Sequence, residues 1–147
     1  MNSCGNNKRQ KEDVSQNPSE IKAIKEILNA QKECWNNGDI DGFMEGYWNS
    51  EELIFTSLNH KPAFGWENTL ERYKNSYPTK ESMGNFNFEI SELKLISDKS
   101  ARLKGKWELI RKDDNPNGLF WLNLEKFEEN WLITKDSTIS FDLIIPA

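Results

Sequence analysis

Residues 39–55 read DIDGFMEGYWNSEELIF and residues 65–78 read GWENTLERYKNSYP. The first segment predicts an amphipathic helix that Asp39 can cap, because its apolar residues recur at helical spacing. These residues are Ile40, Phe43, Met44, Tyr47 and Trp48. The β-rich run 52–58 predicts a strand, and the second segment predicts another helix that ends before its proline. Aromatic residues of both helices fall on one side, which predicts a small α+β cup with an aromatic-walled hollow.

An earlier helix is predicted to begin at the sequence Asn-Pro-Ser-Glu, residues 17–20. Asn17 supplies a capping side chain, proline suits the first helical position, and Glu20 is placed to reach back to the cap. Asn-Asn-Gly at residues 36–38 is expected to stop this helix. Its apolar stripe follows helical spacing and contains Ile21, Ile24, Leu28, Gln31 and Trp35.

The chain after Met83 reads as β-strands. Apolar residues alternate from Phe86 to Ile90, and the phase then slips to Leu93, which predicts a β-bulge that bends the strand. Helices first and hairpins afterwards are typical of α+β layering, in which helices pack on one face of a bent, mainly antiparallel sheet. Turn-forming segments separate four strands and lie at residues 97–100, 113–118 and 128–130.

Length and composition favour one domain, which we place at residues 17–147. The chain has 147 residues, of which 36% are hydrophobic and 12% aromatic, so it carries enough apolar material for a core. Its formal net charge is -5, and acidic and basic residues alternate along most of the chain. Because no basic face stands out, we expect no nucleic-acid partner.

Residues 1–16 are polar and are expected to form a disordered leader or tether. The sequence Ser3-Cys4-Gly5 followed by Asn, Asn, Lys and Arg resembles the processed start of a bacterial lipoprotein, which makes Cys4 a candidate for lipidation. In that case the protein is held at the cell envelope, and the lipid is its contact with a membrane. The alternative is an ordinary cytoplasmic protein with a frayed start.

Six motifs resemble the SnoaL-like domains of the nuclear-transport-factor-2-like superfamily, over roughly residues 20–140. In chain order they read WNNGDIDGFMEGYW, IFTS, GWENTLERYKNSYP, MGNFNF, GKWEL and NWLITKDST. The resemblance implies a cystatin-like α+β cone, in which a strongly curved sheet wraps three N-terminal helices packed in its concave face and a pocket lies between them. It also implies a homodimer through the outer face of the sheet. Superfamily members include isomerases, cyclases, hydrolases and binding scaffolds, so the fold assigns no reaction.

The departures from this family bear on activity. Close relatives commonly carry Asp-His-Thr-Ser on the last strand, whereas this chain has Asp136-Ser137-Thr138-Ile139, so Ser137 stands where an imidazole is expected. The position of the ketosteroid isomerase base falls near Thr56 and Ser57, and neither residue has a carboxylate. The resemblance therefore argues against isomerase chemistry of that type.

The candidate pocket residues are aromatic side chains together with a few polar groups. They are Tyr47, Trp48, Phe55, Ser57, Trp66, Tyr73, Tyr77, Trp107 and Asp136. The alternative for each ring is ordinary core packing, and alternation alone does not show which sheet face carries Trp107 or Trp121. Asp136 is the candidate acid or base, flanked by Thr134 and Thr138, and its alternative is an ion pair with Arg72 or Lys135.

We expect no cofactor and no metal. The sequence has no glycine-rich phosphate loop and no dinucleotide-binding fingerprint. His60 is the single histidine and is expected at the pocket rim, and the two cysteines lack the spacing of a metal site.

Three functions remain open from the sequence. The first is binding, without turnover, of a small molecule that is largely apolar or aromatic. The second is a general acid/base enzyme, an isomerase or a hydrolase, that uses Asp136. The third is a structural or dimerisation module whose pocket is filled by side chains. An open cavity with Asp136 buried and unpaired would favour the enzyme, and a closed hollow would favour the structural module.

Overall fold

The computed structural model describes residues 17–58 and 60–141. Cys4 and the leader at residues 1–16 therefore lie outside the described residues, and their disorder and lipidation stay predictions. The helices are α1 Pro18–Asn36, α2 Ile40–Phe43, α3 Trp66–Ser76 and α4 Lys80–Met83. The strands are β1 Ile54–Ser57, β2 Ala63–Phe64, β3 Asn85–Leu95, β4 Ser100–Ile110, β5 Asn117–Phe127 and β6 Asn130–Ser140. No helix in this described part is long and apolar enough to cross a membrane.

The six strands form one sheet in the order β2-β1-β6-β5-β4-β3. Every neighbouring pair is antiparallel except β1 and β6, which run parallel with Phe55 opposite Asp136. The predicted meander of four strands is thus confirmed as β3 to β6. The helices precede this meander and cover one face of it, so the predicted α+β class is confirmed.

Helix α1 begins and ends where the sequence predicts. The Asn17 side chain accepts a hydrogen bond from the backbone N–H of Ser19 at 2.9 Å, and Pro18 occupies the first turn. The predicted return of Glu20 to the cap is wrong. Its carboxylate instead accepts hydrogen bonds from Lys126 Nζ at 2.6 Å and from Trp131 Nε1 at 2.8 Å. These bonds tie the first turn of α1 to the β5–β6 hairpin.

Helix α2 is shorter than predicted, although Asp39 caps it by accepting from Gly42 N at 2.9 Å. After Phe43 the chain forms a 3-10 turn at Met44–Gly46, and Tyr47 is already extended. Tyr47 then forms a bridge to Ile133, and the next backbone N–H donates to the Ile133 carbonyl at 2.9 Å. Pairing with the sheet thus replaces the last helical turn, a tertiary effect that helical spacing does not reveal.

Helix α3 matches its predicted position, and the short helix α4 after it was not predicted. Thr79 and Ser82 form a reciprocal capping box around α4. At its end the Met83 carbonyl accepts a hydrogen bond from Trp35 Nε1 at 2.9 Å. Helix α4 therefore brings a backbone acceptor to a buried indole.

Two β-bulges shape the sheet. The predicted phase slip in β3 is confirmed, because the register shifts between Ile90 and Glu92. A second shift, not predicted, occurs in β6, where Ile133 pairs with Leu124 and Lys135 pairs with Asn123. Thr134 is the extra residue of this bulge and donates a hydrogen bond to the Asn123 carbonyl at 3.3 Å. Bulges increase the local twist and bend the strands around the helices.

The bulge in β6 also decides which side chains face the helices. Ile133 and Asp136 are three residues apart, and a regular strand would place them on opposite faces. Both are buried and both line the concave side. Thr134 and Thr138 were both predicted on the face of Asp136. This is wrong for Thr134, which is the bulge residue, whereas Thr138 does line the cavity with Asp136.

The alternation of side chains along β4 and β5 determines which face of the sheet carries Trp107 and which carries Trp121. Trp107 lies on the concave side, opposite Gly118 of β5. Its Nε1 donates a hydrogen bond beyond this glycine to the Ile139 carbonyl of β6 at 3.1 Å. A Cβ at Gly118 would lie 1.8 Å from that carbonyl oxygen, so the close approach requires glycine. Trp121 lies on the outer face and is 39% exposed, with Lys104 Nζ 5.9 Å from its ring centroid. Pairing of two chains through this face stays a prediction.

We predict that Trp35→Phe destabilises the fold by about 2–3 kcal/mol, because it removes packing volume and leaves the buried Met83 carbonyl without its donor. Trp121→Phe is the matched control and should change stability by less than about 0.5 kcal/mol, since Trp121 sits at the surface. Urea unfolding followed by circular dichroism measures both. Equal losses in the two variants would contradict the role given to Trp35.

Candidate functional site

A cavity of about 470 Å³ lies between the helices and the concave face of the sheet. Most of its wall is aromatic or aliphatic, with Phe55 from β1, Trp107 from β4, Phe120 from β5 and Tyr73 from α3. Binding pockets for small molecules commonly measure about 300–1,000 Å³ and share this apolar character. The volume is therefore sufficient for a small organic molecule.

Seven of the nine candidate pocket residues lie on this wall. They are Tyr47, Phe55, Ser57, Tyr73, Tyr77, Trp107 and Asp136. His60, expected at the rim, also lies on the wall. Phe55 and Ser57 of β1 lie on the wall together because alternate residues of a strand share a face, and this face of β1 is turned towards the helices.

Trp48 and Trp66 do not line the cavity, so these two assignments are corrected. Trp48 follows Tyr47 in extended chain, which turns it to the opposite side, and it stacks on Phe127 with ring centroids 5.3 Å apart. Trp66 opens α3 and donates its Nε1 hydrogen to the Met44 carbonyl at 2.9 Å. Both indoles therefore connect segments of the fold by contacts outside the cavity.

The aromatic wall is packed edge to face around Trp35. Its ring centroid lies 5.0 Å from Phe43, 5.1 Å from Tyr77 and 5.8 Å from Tyr73, each with a steep interplanar angle. Such contacts are favourable because the positive edge of one ring meets the negative face of another. The rings are thus fixed by one another, which gives the cavity a rigid side.

Asp136 is the acidic residue on the wall, and its side chain is buried, with 5% of the residue exposed. Its Oδ2 accepts a hydrogen bond from the Tyr47 hydroxyl at 2.6 Å. Its Oδ1 is buried and has no hydrogen-bond partner among the described residues. Neither Arg72 nor Lys135 lies within salt-bridge distance of it, so the alternative of an ion pair is wrong.

Burial raises the pKa of Asp136 to about 7, and the Tyr47 hydrogen bond lowers this pKa by a smaller amount. The raised pKa means that the carboxyl group keeps its proton to a higher pH than an exposed aspartate does. Because Tyr47 donates to Oδ2, Oδ1 is the oxygen that is left to carry the proton of the neutral form. The group can therefore donate a proton from Oδ1 or accept one there.

The two tyrosines beside Asp136 keep their protons. Burial, reinforced by the charge of Asp136, holds the pKa of both Tyr47 and Tyr73 well above the usual range. Their hydroxyl oxygens are 3.3 Å apart. Since Tyr47 donates its one hydrogen to Asp136, Tyr73 is the donor to Tyr47, and the chain of hydrogen bonds points towards the carboxyl group.

Two arginines of the wall, Arg72 and Arg111, were not predicted among the pocket residues, and Arg72 was named only as a possible ion-pair partner of Asp136. Arg111 binds both carboxylate oxygens of Asp114 at 2.7 Å and donates to the Ser82 carbonyl at 2.9 Å. Arg72 donates to the Lys61 carbonyl through Nη2. No sequence motif identifies either residue as part of the pocket. The position of Arg72 beside Tyr73 on an amphipathic helix was the one signal from which its place on the wall could have been predicted.

The described residues contain no cluster of three or more His, Cys, Asp or Glu side chains that could hold a metal ion. The polar side chains of the described wall are those of Asp136, His60, Gln31 and Thr138, together with the tyrosines, the serines and the two arginines. A group of this kind can hold a polar end of a molecule and exchange one proton with it.

Several solved structures share this architecture. An NTF-2-like protein of unknown function from Shewanella oneidensis MR-1 is 43% identical with a TM-score of 0.77, and the match covers 81% of this chain and 98% of that one. A ketosteroid isomerase-like protein from Erwinia carotovora atroseptica SCRI1043 is 18% identical with a TM-score of 0.71, covering 88% and 99%. A structure from Catenulispora acidiphila in complex with S-DNPA is 10% identical with a TM-score of 0.67, covering 86% and 96%.

No protein-family model matches the sequence, and no curated protein matches it either. The two structures with low identity show the shared fold alone.

We predict that the raised pKa of Asp136 makes stability depend on pH. The folded protein holds the proton up to about pH 7, whereas the unfolded chain releases it near pH 4. Between these values the folded state binds more protons, so the free energy of unfolding falls as pH rises and is level above about pH 7. The expected loss from this group is roughly 3–4 kcal/mol.

The measurement compares wild type with Asp136→Asn by urea unfolding at intervals from pH 4 to pH 8. The amide does not titrate in this range, so the difference between the two proteins isolates the contribution of Asp136. The stability of wild type relative to the variant should decline up to about pH 7. A difference that does not vary with pH would contradict the raised pKa.

Proposed function

This chain belongs to the NTF2-like family, and we propose that it binds a small, largely apolar molecule in the cavity between its helices and its sheet. The observation that carries the proposal is an aromatic cavity of about 470 Å³ with Asp136 on its wall, buried and with one oxygen unpartnered. Apolar walls supply affinity, and a few fixed polar groups supply orientation. The Catenulispora acidiphila structure supports the proposal in that a protein of this fold is in complex with S-DNPA.

The cost of the unpartnered carboxyl oxygen argues against a purely structural role. A buried polar atom without a partner costs about 1–3 kcal/mol, and such atoms are rare in folded proteins. An apolar residue at position 136 would fill the wall without this cost. A ligand that hydrogen-bonds to Asp136 would supply a partner for this oxygen, whereas a pocket filled by apolar side chains would not.

A second candidate is acid/base catalysis on the bound molecule. The specific observation in its favour is the pKa of about 7 for Asp136, which is suited to proton exchange near neutral pH. Tyr47 fixes the carboxyl group through Oδ2 and leaves Oδ1 to give or take the proton. The reaction class is a proton transfer, as in an isomerisation or a hydrolysis. Ser57 lies on the same wall and is placed to orient an oxygen of the substrate.

Binding is tested with a pair of variants on one strand. Ser57 lies on the cavity wall, whereas Thr56 points to the outer face and bonds to Ser137 at 3.0 Å. Ser57→Phe should fill the cavity, and Thr56→Phe adds a ring on the opposite side as the matched control. Tryptophan fluorescence and thermal shift are recorded against neutral aromatic and alicyclic compounds of about 10–16 non-hydrogen atoms.

We expect at least one compound to bind wild type and Thr56→Phe, and to bind Ser57→Phe at least about tenfold more weakly, because the added ring occupies its volume. Bound ligand should raise the melting temperature in proportion to the logarithm of its concentration. Absence of binding to wild type, or equal binding to Ser57→Phe, would overturn the proposed site.

Turnover is tested separately with Asp136→Asn. Any compound that the first screen identifies, and any molecule that native mass spectrometry finds retained on the purified protein, is followed for chemical change. If catalysis occurs, Asp136→Asn should lower kcat by about 100-fold or more while affinity changes little. Asp41→Asn, an exposed carboxylate on α2, is the control. An unchanged rate in Asp136→Asn would rule out catalysis by this carboxyl group.

A further inference from the structure

Arg72 carries a positive charge on the cavity wall that no described carboxylate neutralises. The other wall arginine, Arg111, is paired with Asp114 through two hydrogen bonds of 2.7 Å. Arg72 forms no salt bridge within the described part of the chain, and its Nη1 is buried without a hydrogen-bond partner. A guanidinium donor in such a place is able to bind an anionic oxygen.

The guanidinium of Arg72 is held in position. Its Nη2 donates to the Lys61 carbonyl, in the segment that connects β1 to β2. Its Cζ lies 5.6 Å from the centroid of the Phe55 ring, in a cation–π contact. Because these two contacts fix the plane of the group, the direction of its remaining donors is set before any ligand arrives.

Arg72 and Asp136 are brought near each other by the pairing of β1 with β6. Phe55 lies opposite Asp136 in this parallel pair, and neighbouring strands are about 4.8 Å apart. Arg72 thus contacts the strand residue that pairs with Asp136, and the guanidinium and the carboxyl group lie beyond salt-bridge distance of each other. One buried donor and one buried acceptor, each without a hydrogen-bond partner among the described residues, thus belong to two side chains that line the same cavity.

We propose that the ligand is an apolar acid, with an aromatic or alicyclic body, a carboxylate that accepts hydrogen bonds from Arg72, and an oxygen function within reach of Asp136. This inference rests on the proposed function, since it assigns the class of molecule that the cavity binds. Carboxylate and guanidinium groups match in geometry and charge, and hydrogen bonds between charged groups are shorter and stronger than neutral ones. A single unpaired arginine suits one carboxylate better than a doubly charged phosphate.

The charge of the protein as a whole does not explain such a preference. Its formal net charge is -5, which would disfavour anions in general. The wall itself differs, because Asp136 is its acidic residue among two arginines, one histidine and neutral groups. Recognition of an acid therefore needs a local positive group on this wall, and of the two wall arginines Arg72 is the one without a described carboxylate partner.

The test uses 2-naphthylacetic acid and its neutral amide, 2-naphthylacetamide, which have the same body and nearly the same size. Their dissociation constants are measured by tryptophan fluorescence at pH 7 for wild type, Arg72→Gln, Arg72→Lys and Lys74→Gln. Lys74→Gln is the matched control, because it removes one positive charge from the same helix at an exposed position paired with Asp41. Circular dichroism verifies that each variant is folded.

Wild type and Lys74→Gln should bind the acid at least about tenfold more tightly than the amide. Arg72→Gln should abolish this preference and leave the affinity for the amide nearly unchanged, and Arg72→Lys should show an intermediate preference because it keeps the charge but not the planar fork. Equal binding of acid and amide by wild type, or a preference that survives in Arg72→Gln, would overturn the inference while leaving cavity binding intact.

Two further outcomes separate the inference from the proposed function. If neither naphthyl compound binds but a neutral compound of the first screen does, the acid class is wrong and the cavity remains a binding site. If no compound of either set binds wild type, the proposed function fails and the inference fails with it.

Discussion

The buried indole of Trp35 is the contact on which the rest of the structure depends. It belongs to α1, packs edge-on against Phe43 of α2 and Tyr73 of α3, and donates its single hydrogen to the Met83 carbonyl just before β3. One side chain thus joins three helices and the start of the meander. Because aromatic rings are rigid and fixed by their neighbours, they hold the helices at a distance from the sheet that flexible aliphatic chains would not keep.

A local irregularity of the backbone then decides the chemistry of the space that remains. The extra residue Thr134 in β6 shifts the phase of the strand and turns Asp136 towards the helices. In a regular strand this carboxyl group would face solvent, ionise near its usual pKa and have no relation to the cavity. The same bulge that bends the strand therefore provides the site with its acidic residue.

Some polar groups of the cavity have hydrogen-bond partners within the described protein, and others do not. Arg111 is fully paired with Asp114 and with the chain at Ser82. Asp136 and Arg72 each keep one buried atom that has no hydrogen-bond partner in the described part of the chain, and they do not pair with each other. Such atoms destabilise a fold, so their position on the wall of one cavity favours a role in recognition over a role in stability.

The sequence by itself determined the elements whose cause is local. Capping residues and helical spacing gave α1 and α3, and the phase slip after Ile90 gave the first bulge, because each depends on neighbours in the chain. The aromatic content predicted the rings of the cavity, and seven of the nine candidate residues lie on its wall.

Only the tertiary structure decided where the remaining side chains point. Pairing with Ile133 ends α2 early and sends Trp48 away from the cavity, and the bulge at Thr134 brings Asp136 in. The sequence also left open whether Asp136 pairs with Arg72, and in the structure Asp136 instead accepts a hydrogen bond from Tyr47. These outcomes depend on the register between strands that are distant in the chain. A shift of one residue in this register reverses the sheet face of every side chain that follows. Local spacing along the sequence does not determine the register.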